Sequence, residues 1–148
     1  MEYISKSEEE TFKIARDLAF KAKPGDVFAL EGDLGSGKTT FTKGFASALG
    51  IKENITSPTF VILKKYSLPE NQQKISFLVH IDCYRMGSIQ DAYSIGIDEL
   101  FENKDAVILL EWPDKIKEIL PSRTVELRFE YIDDKTRKML IPDNLEDR

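Results

Sequence analysis

Apolar residues recur at helical spacing through Phe12, Ala15, Leu18, Ala19 and Ala22, after the Ser7-x-x-Glu10 capping box and before Pro24-Gly25. That pattern predicts an amphipathic helix with a defined start and stop. Val27-Phe28-Ala29-Leu30-Glu31 is short and almost wholly apolar, as in a strand buried on both faces of a parallel sheet. A second helical face, Phe41, Phe45, Ala48 and Leu49, ends at Gly50, where a helix stop belongs. Thr59–Leu63 and Ile75–Ile81 are rich in β-branched and aromatic residues and predict strands joined by the polar loop 67–73. Ser88-x-x-Asp91 marks a helix start, with a further short helix around Asp98-Glu99-Leu100-Phe101. Ala106–Glu111 is a continuous apolar strand ending in an acid, followed by a short helix, Asp114–Leu120, closed by Pro121. Val125, Leu127, Phe129 and Tyr131 alternate with charged residues, and Lys138–Ile141 is the expected antiparallel partner.

The predicted fold class is therefore α/β, a single domain over residues 1–148 with a mostly parallel sheet, antiparallel additions and flanking helices. No internal repeat or low-complexity tract interrupts it. Hydrophobic residues make up 41% of the chain and charged residues 32%, which suits a globular core and argues against disorder. No segment approaches a membrane span and the first residues do not resemble a leader, so a cytoplasmic protein with no membrane contact is expected. Cys83 is the only cysteine, which removes any intramolecular disulfide and argues against a cysteine metal site. The net charge of −5 argues against autonomous grip on nucleic acid.

The strand ending at Glu31 runs into Gly32-Asp33-Leu34-Gly35-Ser36-Gly37-Lys38-Thr39, a full G-x-x-x-x-G-K-[ST] match. Glycines in that pattern let successive backbone N–H groups point at a triphosphate, Lys38 supplies a cation for the β- and γ-phosphates, and the Thr39 hydroxyl is a ligand for Mg²⁺. Strand before and helix after is the context this chemistry requires. The bland alternative is a fortuitous glycine-rich turn.

A magnesium triphosphate site needs a second anchor, and two acids at strand ends compete for it, Asp82 and Glu111. Each has the alternative of merely capping the next turn. His80-Ile81-Asp82-Cys83-Tyr84-Arg85 gathers the only histidine, an acid, an aromatic and an arginine. Strand alternation places His80 on the same side as Asp82, so it either orients that acid or meets another partner; Cys83 then reads as a small packing residue. Thr56-Ser57-Pro58-Thr59-Phe60 lies where P-loop proteins place a γ-phosphate sensor, the alternative being a simple proline turn. Trp112, the only tryptophan, directly follows Glu111 and reads either as an ordinary aromatic or as a site residue. Asn103-Lys104-Asp105 lacks the spacing of a guanine-specificity motif.

Four blocks together resemble the TsaE family, also called YjeE, the P-loop ATPase component of bacterial tRNA threonylcarbamoyladenosine synthesis. They are 32–41 around the glycine loop, Ser57-Pro58-Thr59-Phe60, His80 to Arg85, and Glu111-Trp112-Pro113, in an order spanning roughly Gly25 to Leu127. The resemblance implies ATP and Mg²⁺ as cofactors, held by residues 33–40 (Asp33, Leu34, Gly35, Ser36, Gly37, Lys38, Thr39, Thr40) with Trp112 beside the nucleotide. It implies Thr39 and Glu111 as metal ligands, with Lys38, Asp82 and Glu111 as the catalytic set, and Thr59 in a switch-like loop. Ser36 stands where the family often has alanine. The family places adenine near the first helix, which brings Thr11 and Phe12 into consideration. TsaB- and TsaD-like proteins are the implied partners, with tRNA reached only through the complex and ATP hydrolysis weak without them.

Two other readings fit the glycine loop. A small-molecule kinase would use Asp82 and Arg85 on an acceptor hydroxyl, but Asp114–Arg123 offers few cations for a lid. A nucleotide-gated binding module would use ATP only to order residues 56–60.

Overall fold

The structure is a computed structural model that describes residues 1–53, 55 and 63–145. Strand β1 (Glu2–Ser5) leads into helix α1 (Glu8–Lys21), strand β2 (Val27–Glu31) and helix α2 (Lys38–Ala48). Strands β3 (Leu63–Ser67) and β4 (Phe77–Asp82) follow, then the short helices α3 (Ile89–Ser94) and α4 (Ile97–Glu102). Strand β5 (Ala106–Glu111), a 3-10 segment over Pro113–Ile119, and strands β6 (Val125–Tyr131) and β7 (Arg137–Leu140) complete the sheet.

The seven strands lie in the order β1-β7-β6-β2-β5-β4-β3. The central neighbours β6, β2, β5 and β4 run parallel, and antiparallel strands extend both sides. Successive residues of β5 point to opposite faces, and both faces are covered. Val107 and Leu109 join the core beneath α1 and α2, while Ile108 and Leu110 join the core beneath α3, α4 and the 3-10 segment. A strand buried on both sides has no polar positions to alternate, which is why its sequence is a continuous apolar run. Strand β6 is the contrast: Val125, Leu127 and Phe129 are buried while Glu126 and Arg128 are exposed.

Helix α1 starts as its sequence dictates. The Ser7 side chain accepts from Glu10 N at 3.1 Å, and the Glu10 carboxylate accepts from Lys6 N at 2.6 Å, one residue earlier than the usual reciprocal bond of a capping box. Helix α2 packs directly on α1: a Cβ built on Gly44 would stand 2.8 Å from the Phe12 carbonyl oxygen and 3.0 Å from Ala15 Cβ.

Three features depart from the sequence reading. Strand β1 was not foreseen, and it pairs antiparallel with β7 from Glu2↔Leu140 to Ser5↔Arg137, so β1 rather than β7 forms that edge. Four residues are too few for alternation to register as a signal. The segment expected as a helix after Glu111 is instead 3-10, interrupted at Ile116 (φ −126°, ψ 17°); Ile116 is fully buried, and seven residues between two prolines leave little room for α-helical bonding. Of the expected strand Thr59–Leu63, only Leu63 lies within the described residues, and there it begins β3. No helix among the described residues is long and apolar enough to cross a membrane.

Candidate functional site

The glycine loop joins the carboxyl end of β2 to the start of α2, at the edge of the sheet where open α/β folds bind ligands. Gly32 permits a close approach that no other residue would: its φ is +155°, and a Cβ there would lie 2.6 Å from both the Phe129 carbonyl oxygen and Ser36 Oγ. Ser36 is buried beneath the loop, and its N–H donates to the Asp33 carbonyl at 3.1 Å. Lys38 is 5% exposed; its ammonium donates to the Gly32 carbonyl and sits 3.5 Å from the centroid of the Trp112 ring. Burial pushes the Lys38 ammonium below its usual range, while the carboxylates of Glu111, Asp82, Asp33 and Asp114 oppose that shift. A cation stripped of water and held over an aromatic face gains most from an arriving anion.

Strands β4 and β5 bring the two competing acids side by side, with Asp82 in register with Glu111. Their surroundings differ. Glu111 is 3% exposed and its Oε2 lies 2.7 Å from Nε2 of His80, which is itself buried. His80 therefore meets Glu111 rather than orienting Asp82, which settles the alternatives its sequence position left open. Asp82 is half-buried at the strand end, and its Oδ1 accepts from Tyr84 N at 2.9 Å. Trp112 takes a left-handed backbone conformation (φ 57°, ψ 60°), uncommon for a bulky residue and of a kind that clusters at functional sites. Its ring packs against Tyr84 with centroids 4.9 Å apart. Lys115 Nζ donates to the Tyr84 carbonyl at 3.1 Å, tying the 3-10 segment to the loop after β4.

These residues border an open cleft of about 1070 Å³, just above the roughly 300–1,000 Å³ common for small-molecule and cofactor sites. Of the residues singled out from sequence, Leu34, Gly35, Gly37, Lys38, Thr39, Thr40, Asp82, Tyr84, Arg85, Glu111 and Trp112 line it. Asp33 instead borders a neighbouring groove with Gly32, Trp112 and Asp114, and Ser36 faces the interior. Thr11 also lines the cleft. Residues 56–60, expected as the γ-phosphate sensor, lie outside the described residues apart from the neighbouring Ile55.

Sequence reasoning missed the far wall. Lys6 to Glu9 at the start of α1, and Asp134, Lys135 and Arg137 of the β6–β7 turn, complete the lining. The turn, Asp133-Asp134-Lys135-Thr136, is closed by its first carboxylate, which accepts from Lys135 N and Thr136 N at 2.9 and 2.8 Å.

Magnesium bound with a triphosphate takes one or two protein oxygens and fills its remaining positions with phosphate and water. The Thr39 hydroxyl and the Glu111 carboxylate are oxygen donors of that kind on the same cleft, with Asp82 beside them. The donor set fits. When bound, the ion would neutralise phosphate charge.

The family model described as "Threonylcarbamoyl adenosine biosynthesis protein TsaE" matches residues 5–139. A Bacillus subtilis protein named tRNA threonylcarbamoyladenosine biosynthesis protein TsaE is 44% identical over 131 residues, 88% of this chain and 78% of its own length. A Treponema pallidum protein of the same name is 33% identical over 95% of this chain and 99% of its own length. The crystal structure of Bacillus subtilis YdiB superposes with a TM-score of 0.77 at 37% identity, covering 99% of this chain and 89% of that one.

Proposed function

The chain belongs to the TsaE family, and on that premise we propose that it is the Mg²⁺-dependent, ATP-hydrolysing component of the machinery that makes N6-threonylcarbamoyladenosine at position 37 of tRNA. The observation that carries this reading is the convergence of Lys38 and Thr39 with Glu111, Asp82 and Trp112 on one cleft. Phosphoryl transfer to water asks a protein mainly for positioning and charge stabilisation. Lys38 serves the β- and γ-phosphates, Trp112 walls the site, and Thr39 and Glu111 are the groups for the metal. Asp82 is more open to solvent than Glu111 and takes the role of supporting hydrolysis or its coupling to a partner.

TsaB- and TsaD-like proteins are the proposed partners, with tRNA engaged through the complex. The net charge of −5 suits an accessory motor better than a chain that grips tRNA directly. A site in the cytoplasm goes with that role.

Phosphate release from ATP, measured for the pure protein alone and with TsaB- and TsaD-like partners, tests the reading. Hydrolysis should rise with the partners, and Lys38→Ala and Glu111→Ala should each lower it by about a hundredfold or more. Turnover that requires a small hydroxyl acceptor would instead mark a kinase. ATP that binds but is never hydrolysed, with or without partners, would mark a nucleotide-gated module.

A further inference from the structure

We propose that Arg137 is a positioning residue for nucleotide binding, bracing the phosphate loop from the β6–β7 turn; the inference rests on the triphosphate reading of the cleft. Arg137 opens β7, and its Nε donates to the Gly35 carbonyl at 2.8 Å. Through Nη1 the same guanidinium donates to the carbonyls of Asp133, at 2.5 Å, and Thr136, at 3.1 Å. Its Cζ lies 4.6 Å from the centroid of the Tyr131 ring, and a Cβ built on Gly37 would stand 3.5 Å from Arg137 Cγ. One planar group, 102 residues from Gly35 along the chain, thus joins the middle of the phosphate loop to the β6–β7 turn, at the wall of the cleft.

The platform behind it is fixed, because the Asp133 carboxylate holds the backbone N–H groups of Lys135 and Thr136. The loop in front has far more freedom, being rich in glycine. A glycine loop that spends part of its time in other shapes binds more weakly by that fraction. Carbonyl oxygens repel phosphate, so a loop that binds a triphosphate must keep them turned away. Committing the Gly35 carbonyl to a cation does this before the ligand arrives. The role calls for arginine, since its rigid fork reaches three carbonyls at once, whereas a lysine ammonium on a flexible stem would not hold all three in one plane.

The test compares the full chain with Arg137→Ala and Arg137→Lys, measuring Mg-ADP binding by calorimetry and the thermal midpoint of the unliganded protein by circular dichroism. Arg137→Ala should weaken Mg-ADP binding by about tenfold or more. The unliganded midpoint should move by no more than about 3 °C, and Arg137→Lys should recover only part of the affinity. Wild-type affinity in Arg137→Ala overturns the inference alone. A fall in affinity accompanied by collapse of the unliganded midpoint also overturns it, by marking Arg137 as a residue of the fold only. Wild-type protein that binds neither Mg-ADP nor Mg-ATP overturns the triphosphate reading and this inference with it.

Discussion

Ser36 is 1% exposed, and its hydroxyl has no hydrogen-bond partner among the described residues. An unsatisfied buried hydroxyl costs about 1–3 kcal/mol, so Ser36→Ala should stabilise the unliganded protein by about 1 kcal/mol and raise its thermal midpoint by about 2–4 °C. A lowered midpoint would show that the hydroxyl is bonded after all. Cys83, by contrast, is where a small apolar residue belongs: it is fully buried, and burial pushes its thiol up to about 12, far from reactive. Lys38 and Thr39 were legible in the sequence because the strand-loop-helix context constrains where they point, whereas Glu111 stood level with Asp82, since a place at a strand end does not separate the two acids. Arg137, Asp134 and Lys135 were not legible. A polar turn reads the same whether it faces bulk water or a cleft, and only the pairing of β6 with β2 swings it over the phosphate loop. His80 is an intermediate case: alternation gave its face correctly, but its partner sits on the next strand, 31 residues on.

Helices α1 and α2 meet where Gly44 lets the backbone of Phe12 come close. Alanine is the better helix former by about 1 kcal/mol, yet a methyl group 2.8 Å from a backbone carbonyl oxygen forces the helices apart, and overpacking costs about 1–3 kcal/mol. Gly44→Ala is therefore expected to destabilise, by about 1–2 kcal/mol at the balance of the two terms, with a lower midpoint in urea. Greater stability would mean that α1 shifts at no cost. Helix α1 and strand β6 were read correctly because their burial repeats at the period the backbone imposes, and β5 because a strand buried on both faces is an unbroken apolar run. Strand β1 escaped because pairing with β7 decides it, not its own residues. The 3-10 segment was taken for an ordinary helix because Ile116 and its neighbours carry helical composition; the break falls at the buried Ile116 in a span confined between Pro113 and Pro121.

Across the whole molecule, Glu31 at the end of β2 holds distant pieces together: Lys117 of the 3-10 segment lies 2.5 Å from its Oε1, and Arg128 of β6 lies 3.7 Å from its Oε2. The hydrogen bond from Lys117, with the charges of Lys117 and Arg128 behind it, holds the Glu31 carboxyl below its ordinary 4.5. A carboxylate whose acidity is raised by folding adds stability above its ordinary pKa and loses it as pH falls through the lowered folded value. Lys117 is 45% exposed, so solvent limits the gain to under about 1 kcal/mol. Glu31→Gln should accordingly be less stable than wild type at about pH 6, with a smaller gap at about pH 3, as read from urea midpoints. An equal gap at both pH values would remove the ion pair from the account. The contact of Gly32 with Phe129, described above as a matter of space, also sets an order in time. A growing chain acquires the entire glycine motif early, but the β6 residue that backs it, and Arg137 beyond that, are added roughly a hundred residues later. Chains halted before β6 would carry the full glycine motif with nothing behind it, so the loop gains its backing only once β6 and β7 have been made.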